Sequence, residues 1–331
     1  MRKRLSLPDA VYRGRFAPSP TGPLHFGSLA TAIGSYLEAK KHNGIWLVRM
    51  EDVDTPRCVA GAADDILRTL EAFGLHWNGE VIYQSQRSAA YADALHELQN
   101  SGMAYPCACS RKEIADSALH GVEGQIYPGT CRSGIPAGRQ ARAWRVRTNH
   151  PLPHSLPQWE REEKPFSLRG KGWEGGATIS FDDALQGHIA QNLESEIGDF
   201  VVKRADGLFA YQLAVAVDDA FQDITHVVRG ADLLNSTPRQ IWLQRLLGLP
   251  TPHYMHLPIA VNAQGEKLGK QTLAAPVGAD NPVATLLRAL AFLRQDPPAE
   301  LSGHELDAIL DWAIAHWDSS RLNGIMKIAA A

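Results

Sequence analysis

The sequence predicts an α/β fold built on a parallel sheet. Over the first hundred residues, strand patterns at 12–18 and 45–48 alternate with helix patterns that follow the first strand and recur at about 61–73 and 88–100. The run at 45–48 is entirely apolar, as in a parallel strand that is covered on both faces. Strand, helix, strand, helix in this order is typical of one half of a doubly wound domain.

The composition is that of an ordinary globular protein. Of the 331 residues 44% are hydrophobic and 21% are charged, and the net charge is −3, which excludes the disordered and fibrous classes. A nucleic-acid partner would therefore need a local basic patch. No apolar run approaches the roughly 20 residues of a membrane span, and no apolar stretch of a secretory signal follows the basic residues 2–4. We expect a cytoplasmic monomer with no membrane partner.

The pattern changes sharply after the first hundred residues. Residues 106–195 are rich in glycine, proline and arginine and carry only short alternating runs, at 144–147 and 178–181, which indicates an inserted module. Regular α/β patterns return at 200–203, 213–217 and 224–228, the last of which is predicted as a strand. Amphipathic helices are predicted at 283–293 and 304–317. The predicted regions are 1–105, the first half of a catalytic domain; 106–195, the inserted module; 196–250, the second half; and 251–331, a loop followed by a helical C-terminal region.

Two polar loops suggest a nucleotide site. Residues 15–28 leave a strand, turn through proline and glycine, and enter a helix whose N-terminal N–H groups could bind a phosphate. His25 could donate to that phosphate, and Gly27 would let a nucleotide approach the backbone. Far along the chain, Lys267 and Lys270 could hold a triphosphate. Alone, the first segment is more often a stiff capping loop, and most lysine-rich loops are solvated.

Taken together, the two loops resemble the signature motifs of class I aminoacyl-tRNA synthetases. Residues 15–22, 49–54, 211–219 and 226–232 are similar to the catalytic core of glutamyl-tRNA synthetases. About sixty residues follow Gln271 in place of a large anticodon-binding region, and Ser28 stands where the full-length enzymes usually have a second glycine. Both departures resemble a truncated paralogue family, the glutamyl-queuosine tRNA(Asp) synthetases.

That resemblance implies a Rossmann-type catalytic domain, a zinc-containing, acceptor-like inserted module and a short helical C-terminal region. It also implies ATP with Mg²⁺, L-glutamate and tRNA(Asp) carrying queuosine as partners. The family attaches glutamate to the queuosine base at the wobble position, not to the 3′ end.

A glutamate pocket follows from the same resemblance. Arg15 and Arg229 match the carboxylate-binding positions, and an arginine fork suits a carboxylate because it makes two parallel hydrogen bonds. Glu51 matches the residue that meets the α-ammonium group, Tyr211 lines the site, and Ser19 supplies another donor.

The ATP side of the site is assigned to His25, Gly27, Lys267 and Lys270. No side-chain nucleophile is needed, because the glutamate α-carboxylate itself attacks the α-phosphate of ATP, so catalysis is positioning and charge stabilisation. His25 and Lys270 are the predicted catalytic residues.

The acidic run 51–54 allows another interpretation. Without the family, Glu51, Asp52 and Asp54 could form a surface cluster or a divalent-metal site. We expect Asp52 and Asp54 to cap the following segment and to pair with Arg57.

Three cysteines, Cys107, Cys109 and Cys131, lie within 25 residues. In a cytoplasmic protein they favour one structural zinc ion, which requires a fourth ligand. His120 is the generic choice, whereas the family pattern places a tyrosine there, Tyr127, which we favour. Three buried thiols without metal are the alternative, and Cys58 lies outside the group.

Four arginines follow this cluster, and they could contact RNA phosphates or form a solvated strand face: Arg139, Arg142, Arg145 and Arg147.

Three functions remain open at this point. The first is glutamylation of queuosine in tRNA(Asp). The second is a minimal glutamyl-tRNA synthetase that charges a 3′ end, and the third is a non-catalytic paralogue that binds amino acid or RNA. The intact motif residues argue against the third, and the lack of an anticodon-binding region argues against the second.

Overall fold

A computed structural model describes residues 11–116, 120–121, 124–149, 178–269, 275–278 and 281–330, except for the side chains of 120 and 121. Lys270 lies outside the described residues. Across the described part of the chain, no helix combines the length and the apolar character that crossing a bilayer requires.

The first third of the chain forms the predicted strand–helix alternation. Its elements are β1 (Arg13–Phe16), α1 (Phe26–Lys41), β2 (Ile45–Met50), α2 (Ala62–Ala72), β3 (Ile82–Tyr83) and α3 (Ser88–Asn100). The three strands are parallel, in the order β1-β2-β3, with Arg13 opposite Ile45 and Arg49 opposite Ile82. The expected strands and helices of this region are confirmed, with ends that differ by about one or two residues.

The next elements leave this sheet. They are β4 (Ala104–Cys107), α4 (Arg111–Ala115), β5 (His120–Gly121), β6 (Gly124–Gln125) and β7 (Ala143–Val146). β4 and β7 pair antiparallel, and the third strand of their sheet is β10 (Phe200–Lys203), which comes much later in the sequence.

A second sheet, which is mixed, lies beside the first. In chain order its elements are β8 (Thr178–Asp183), β9 (Gly187–Asn192), α5 (Leu193–Glu196), α6 (Tyr211–Phe221), β11 (His226–Gly230), α7 (Thr237–Leu246) and β12 (His253–Leu257). The sheet order is β11-β12-β8-β9, with β11 parallel to β12. β1 lies beside β11, where the Thr225 N–H donates to the Arg13 carbonyl over 3.0 Å, so the carboxyl ends of β1, β2, β11 and β12 share one edge.

The last region is helical, as expected. It contains β13 (Ile259–Val261), α8 (Pro282–Phe292), α9 (Leu306–His316) and β14 (Lys327–Ala329), and β13 pairs parallel with β14. Both helices pack against α1. In that core Gly34 has a steric role, since a Cβ there would lie 2.6 Å from Leu257 Cδ1.

Strand pairing crosses the predicted region boundary at 195. β10, assigned to the second half of the catalytic domain, pairs with β7 of the inserted module. Conversely, β8 lies in the module by sequence but pairs with β12, where Asp183 is opposite Tyr254. The division into four regions stays a prediction. The 213–217 pattern lies within α6, and the strand expected at 224–228 begins at His226.

One buried carboxylate ties the antiparallel sheet to its loops. Asp199, 1% exposed, accepts hydrogen bonds from Arg132 Nε (2.6 Å) and Nη2 (3.0 Å), from the Tyr105 hydroxyl (2.5 Å) and from Thr148. Burial opposes its ionisation, but the Arg132 and Tyr105 donors outweigh that cost and lower the pKa of Asp199. The ionised form is therefore the one that the fold stabilises.

We expect Asp199→Ala to lower the free energy of unfolding by roughly 3 kcal/mol, because it leaves buried donors unpaired. Chemical denaturation at neutral pH measures this. Glu194→Ala is the matched control: its carboxylate lies 3.8 Å from Arg132 at a partly exposed position, so its loss should cost at most about 1 kcal/mol. Equal losses in the two variants would contradict the assigned role.

Candidate active site

A cleft of about 750 Å³ opens at the carboxyl ends of β1, β2 and β11. Ligands of open α/β sheets bind at this edge. It gathers all the predicted glutamate- and ATP-binding residues that the structure describes: Arg15, Ser19, His25, Gly27, Glu51, Tyr211, Arg229 and Lys267. Residues more than 200 positions apart thus line one cavity, and their individual roles stay predictions.

His25 is the N-cap of α1. Its Nδ1 accepts the Ser28 N–H over 3.3 Å, so the ring proton is on Nε2, which lies 2.9 Å from Ser28 Oγ. The Nε2–H therefore faces Ser28 Oγ, and a phosphate that accepted this hydrogen would replace Ser28 as its acceptor. Gly27 follows at the first turn, where a Cβ would lie 3.2 Å from the Ala260 Cβ, so glycine also permits close packing of the helix against β13.

Beneath the cleft, two arginines share one carboxylate. Asp219 Oδ1 lies 3.1 Å from Arg15 Nε and 2.8 Å from Arg49 Nη1, and Arg49 Nη2 lies 3.3 Å from Glu51 Oε1. The side chains of Arg15 and Arg49 are 3% and 0% exposed. Burial opposes ionisation of Asp219, but the two guanidinium groups outweigh it and lower its pKa. Glu51 differs, because burial raises its pKa against the pull of Arg49 and Arg15.

Arg49 and Asp219 were not singled out from the sequence as site residues. A signal exists for both: Arg49 interrupts the apolar run of β2, and Asp219 lies near the end of a helix whose preceding positions are mostly apolar. A charged residue at such a position needs a buried partner.

The carboxylates of the acidic run 51–54 have different partners and do not form a metal site. Asp52 accepts from the Ser85 N–H (2.8 Å) and hydroxyl (2.6 Å), and Asp54 pairs with Arg57 and Arg204, each at 2.7 Å. The expected Asp54–Arg57 pair is confirmed. The expectation for Asp52 was wrong: it bridges to the segment after β3 and does not pair with Arg57.

Arg229 lies on the far wall of the cleft. Its Nη1 is 3.4 Å from the Tyr211 hydroxyl, its Nη2 is 2.8 Å from Thr237 Oγ1, and its Nε is 3.1 Å from His256 Nε2. Burial raises the pKa of Tyr211, so its hydroxyl stays protonated. Thr237 and His256 were not predicted, since neither is marked by a motif.

At the rim, Lys267 Nζ contacts Asp232 Oδ2 at 2.5 Å, and both side chains are partly exposed. Both also line the cleft. A triphosphate that bound Lys267 would compete with this carboxylate, which the sequence did not indicate.

The cysteine cluster forms a compact donor set. The sulfur atoms of Cys107, Cys109 and Cys131 all lie within 4.8 Å of one another. The Tyr127 hydroxyl lies 3.5 Å from Cys107 Sγ and 3.7 Å from Cys109 Sγ, and it accepts the Cys131 N–H at 2.8 Å. Burial raises the pKa of Cys109 to about 11. Three thiols and a phenol oxygen that face one another fit a tetrahedral metal. The side chain of His120 lies outside the described residues.

Three of the four arginines that follow this cluster have internal partners. Arg139 binds Glu113 and the Ala108 carbonyl, Arg145 lies 4.0 Å over the Tyr127 ring and donates to the Asp199 carbonyl, and Arg147 donates to the carbonyls of Gly102 and Arg132. These side chains brace the cysteine loops. Arg145 is buried, whereas Arg139 and Arg142 are exposed, so the phosphate-binding and solvated-face interpretations both stay predictions.

Known proteins share this architecture. Residues 12–284 match the family described as tRNA synthetases class I (E and Q), catalytic domain. Among solved structures, the glutamate-tRNA synthetase from Elizabethkingia anophelis superposes with a TM-score of 0.72, over 97% of this chain and 68% of that one. At 21% sequence identity this likeness shows the fold.

Sequence relatives are much nearer. A glutamyl-Q tRNA(Asp) synthetase from Dechloromonas aromatica (strain RCB) is 58% identical over 311 residues, which are 93% of this chain and 95% of that protein. The glutamyl-Q tRNA(Asp) synthetase from Chromobacterium violaceum is 53% identical over 96% of this chain and 97% of its own length. The chain is therefore a ligase-type enzyme with a class I catalytic domain, and it belongs to the glutamyl-Q tRNA(Asp) synthetase family.

Proposed function

We propose that this enzyme activates L-glutamate with ATP without needing tRNA, and then transfers the glutamyl group to the queuosine base at the wobble position of tRNA(Asp). The observation that carries the proposal is the single cleft, which combines two arginines, a buried acid and a helix N-terminus. The names of the relatives support tRNA(Asp) carrying queuosine as the acceptor of the glutamyl group.

The charges of the cleft complement glutamate. The substrate brings two carboxylates and one ammonium group, and the cleft offers Arg15 and Arg229 for the former and Glu51 for the latter. Asp219 contacts Arg15, and Arg49 contacts both Asp219 and Glu51. Arg15 and Glu51 are therefore oriented before the substrate arrives. Preorganisation of this kind reduces the ordering cost of binding. Ser19 and Tyr211 add neutral donors at the same wall.

The other end of the cleft suits a triphosphate. The N-terminus of α1, the His25 Nε2–H and Lys267 are all cationic or donate hydrogen bonds, and Lys270 follows in the same loop. A glutamate α-carboxylate oxygen attacks the α-phosphorus, and pyrophosphate leaves. His25 and Lys270 stabilise the charge that develops there. Mg²⁺ bound with ATP would neutralise part of the triphosphate charge.

Transfer completes the cycle. A hydroxyl of the queuosine cyclopentenediol attacks the acyl carbon of glutamyl-adenylate and gives up its proton to the departing phosphate, so that an ester bond forms and AMP leaves with the bonding electron pair. A wobble base lies in a single-stranded loop, where proteins can reach base edges.

We also propose that Cys107, Cys109, Cys131 and Tyr127 hold one structural zinc ion. The convergence of their ligand atoms supports this. The ion would link the end of β4 to the loop before Cys131, a structural contribution, and none of its four ligands lines the cleft.

Glutamate transfer should require queuosine. With ATP, Mg²⁺ and labelled glutamate, we expect tRNA(Asp) from queuosine-producing cells to be labelled and tRNA(Asp) from cells unable to make queuosine to remain unlabelled. Nucleoside digestion of the product should place the label on queuosine. Glutamate-dependent pyrophosphate exchange into ATP, measured without tRNA, shows that the same preparation activates glutamate.

The outcomes separate the alternatives. Efficient charging of tRNA(Glu), or equal labelling of queuosine-free tRNA(Asp), would make the protein a minimal glutamyl-tRNA synthetase. If no pyrophosphate exchange is measured at millimolar glutamate without tRNA, the proposal that glutamate is activated without tRNA is wrong.

Zinc retention should depend on Tyr127. Metal analysis of the wild type should give about one zinc per chain, and Tyr127→Phe should release it faster to a chelator because it removes one ligand oxygen. His120→Ala and Cys58→Ser are the controls and should retain zinc as the wild type does. Faster release from His120→Ala alone would assign the fourth position to histidine, and a zinc-free wild type would refute the site.

A further inference from the structure

A buried histidine lies directly behind Arg229. His256, on β12, has an entirely buried side chain, and its Nδ1 lies 2.6 Å from Asp183 Oδ2 on β8. On its other side, His256 Nε2 is 3.1 Å from Arg229 Nε. Asp183, His256 and Arg229 thus form a continuous line of hydrogen bonds from the interior of the sheet to the cleft.

The hydrogen bonds determine where the ring proton is. Asp183 Oδ1 already accepts the N–H groups of Leu185 (3.1 Å), Gln186 (2.9 Å) and His256 (3.2 Å), which favours its ionised form. Burial opposes this, but His256 and these N–H groups keep the pKa of Asp183 below its usual value. A carboxylate only accepts, so His256 Nδ1 carries the hydrogen and Nε2 presents a lone pair. That lone pair is what Arg229 Nε can donate to.

This arrangement fixes the direction of the guanidinium group. Arg229 Nε is held by His256, and Nη2 is held by Thr237 Oγ1 at 2.8 Å. Thr237 Oγ1 also lies 3.2 Å from His256 Nε2, so its hydroxyl can accept from Arg229 and donate to the histidine. The third nitrogen, Nη1, contacts the Tyr211 hydroxyl at 3.4 Å, and Tyr211 and Arg229 both line the cleft.

We propose that neutral His256, held in the Nδ1–H tautomer by Asp183, is a positioning residue that aims Arg229 at a carboxylate of the substrate. The inference rests on the proposed role of Arg229 in binding glutamate. Without an acceptor at Nε, Arg229 keeps its Nη2 contacts with Thr237 and Leu233 but loses one of the contacts that fix its plane, and a bidentate bond to a carboxylate requires that plane.

Protonation of His256 would reverse this contact. The groups that face the ring are Asp183, Arg229 and Thr237, the Tyr254 ring stacks on it at 6.3 Å, and Asp232 acts from farther away. Burial lowers the pKa of His256 to about 4, Arg229 adds to this effect, and Asp183 opposes it. The ring is therefore neutral at physiological pH. Below its pKa, an Nε2–H would point at the Arg229 Nε–H.

Two substitutions separate the contact of Nε2 with Arg229 from the contact of Nδ1 with Asp183. His256→Gln places an amide oxygen near the position of Nε2 and can still accept from Arg229, whereas His256→Asn places an amide near Nδ1 and faces Asp183 only. In glutamate-dependent pyrophosphate exchange, we expect His256→Asn to raise the KM for glutamate about tenfold or more. Its kcat and its KM for ATP should stay within about twofold of the wild type, and His256→Gln should largely restore the KM for glutamate.

His226→Gln is the matched control, since His226 is on the same strand as Arg229 but at its other end, where it stacks on Tyr12 at 4.0 Å. It should leave the KM for glutamate unchanged. Equal increases in the KM for glutamate in His256→Gln and His256→Asn, or a parallel increase in the KM for ATP, would overturn the positioning role.

A second measurement uses only the wild-type protein and does not depend on catalysis. In protein labelled with ¹⁵N-histidine, His256 should show a protonated Nδ1 and a bare Nε2 from about pH 5 to 8, and the same tautomer should persist with glutamate bound. A cationic ring or an Nε2–H tautomer at neutral pH would refute the inference. Wild-type protein with this tautomer but no glutamate-dependent exchange would instead contradict the proposed function.

Discussion

The carboxylate of Asp219 is the group on which the cleft depends. It lies between Arg15 of β1 and Arg49 of β2, and it is carried by α6, so three elements from different parts of the chain meet at one charge. Two buried guanidinium groups would repel each other strongly without it. The preceding residue, Asp218, accepts from Gln84, Arg87 and Tyr91. Asp219 therefore links α6 to β1 and β2, and Asp218 links the same helix to α3 and the segment before it.

The cleft is polar, yet its principal charged groups already have partners. Arg15 contacts Asp219, Glu51 contacts Arg49, Arg229 contacts His256, and Lys267 contacts Asp232. The first three contacts are buried and hold groups that can bind a substrate through their remaining atoms. The contact of Lys267 is partly exposed, and it is the one that a phosphate would replace. Under the proposed function, glutamate would therefore bind with little rearrangement of these side chains, whereas ATP would exchange the partner of Lys267.

Local patterns in the sequence predicted the first strands and helices and the two C-terminal helices, because hydrophobic periodicity and terminating glycines are local signals. They could not predict that β10 pairs with β7 or that β8 joins β12, since pairing depends on contacts between distant residues. The same limit applies to the site. Arg15 and Glu51 were predicted from resemblance and His25 first from its place before a helix, whereas the partners Asp219 and His256 were not predicted, because their contacts with Arg15 and Arg229 join distant parts of the chain.

The position of β8 constrains how this enzyme could be recombined with its relatives. Asp183, at the end of that strand, belongs by sequence to the stretch between the two halves of the catalytic domain, but it supports Arg229 through His256. A chimera cut at 106 and 195 would therefore exchange a residue that is linked by hydrogen bonds to the cleft-lining Arg229, together with the cysteine loops. Crossover points after β4 and before β7 would leave β8 native, but they would separate Cys107 from Cys109 and Cys131 and would exchange Arg132, the partner of Asp199.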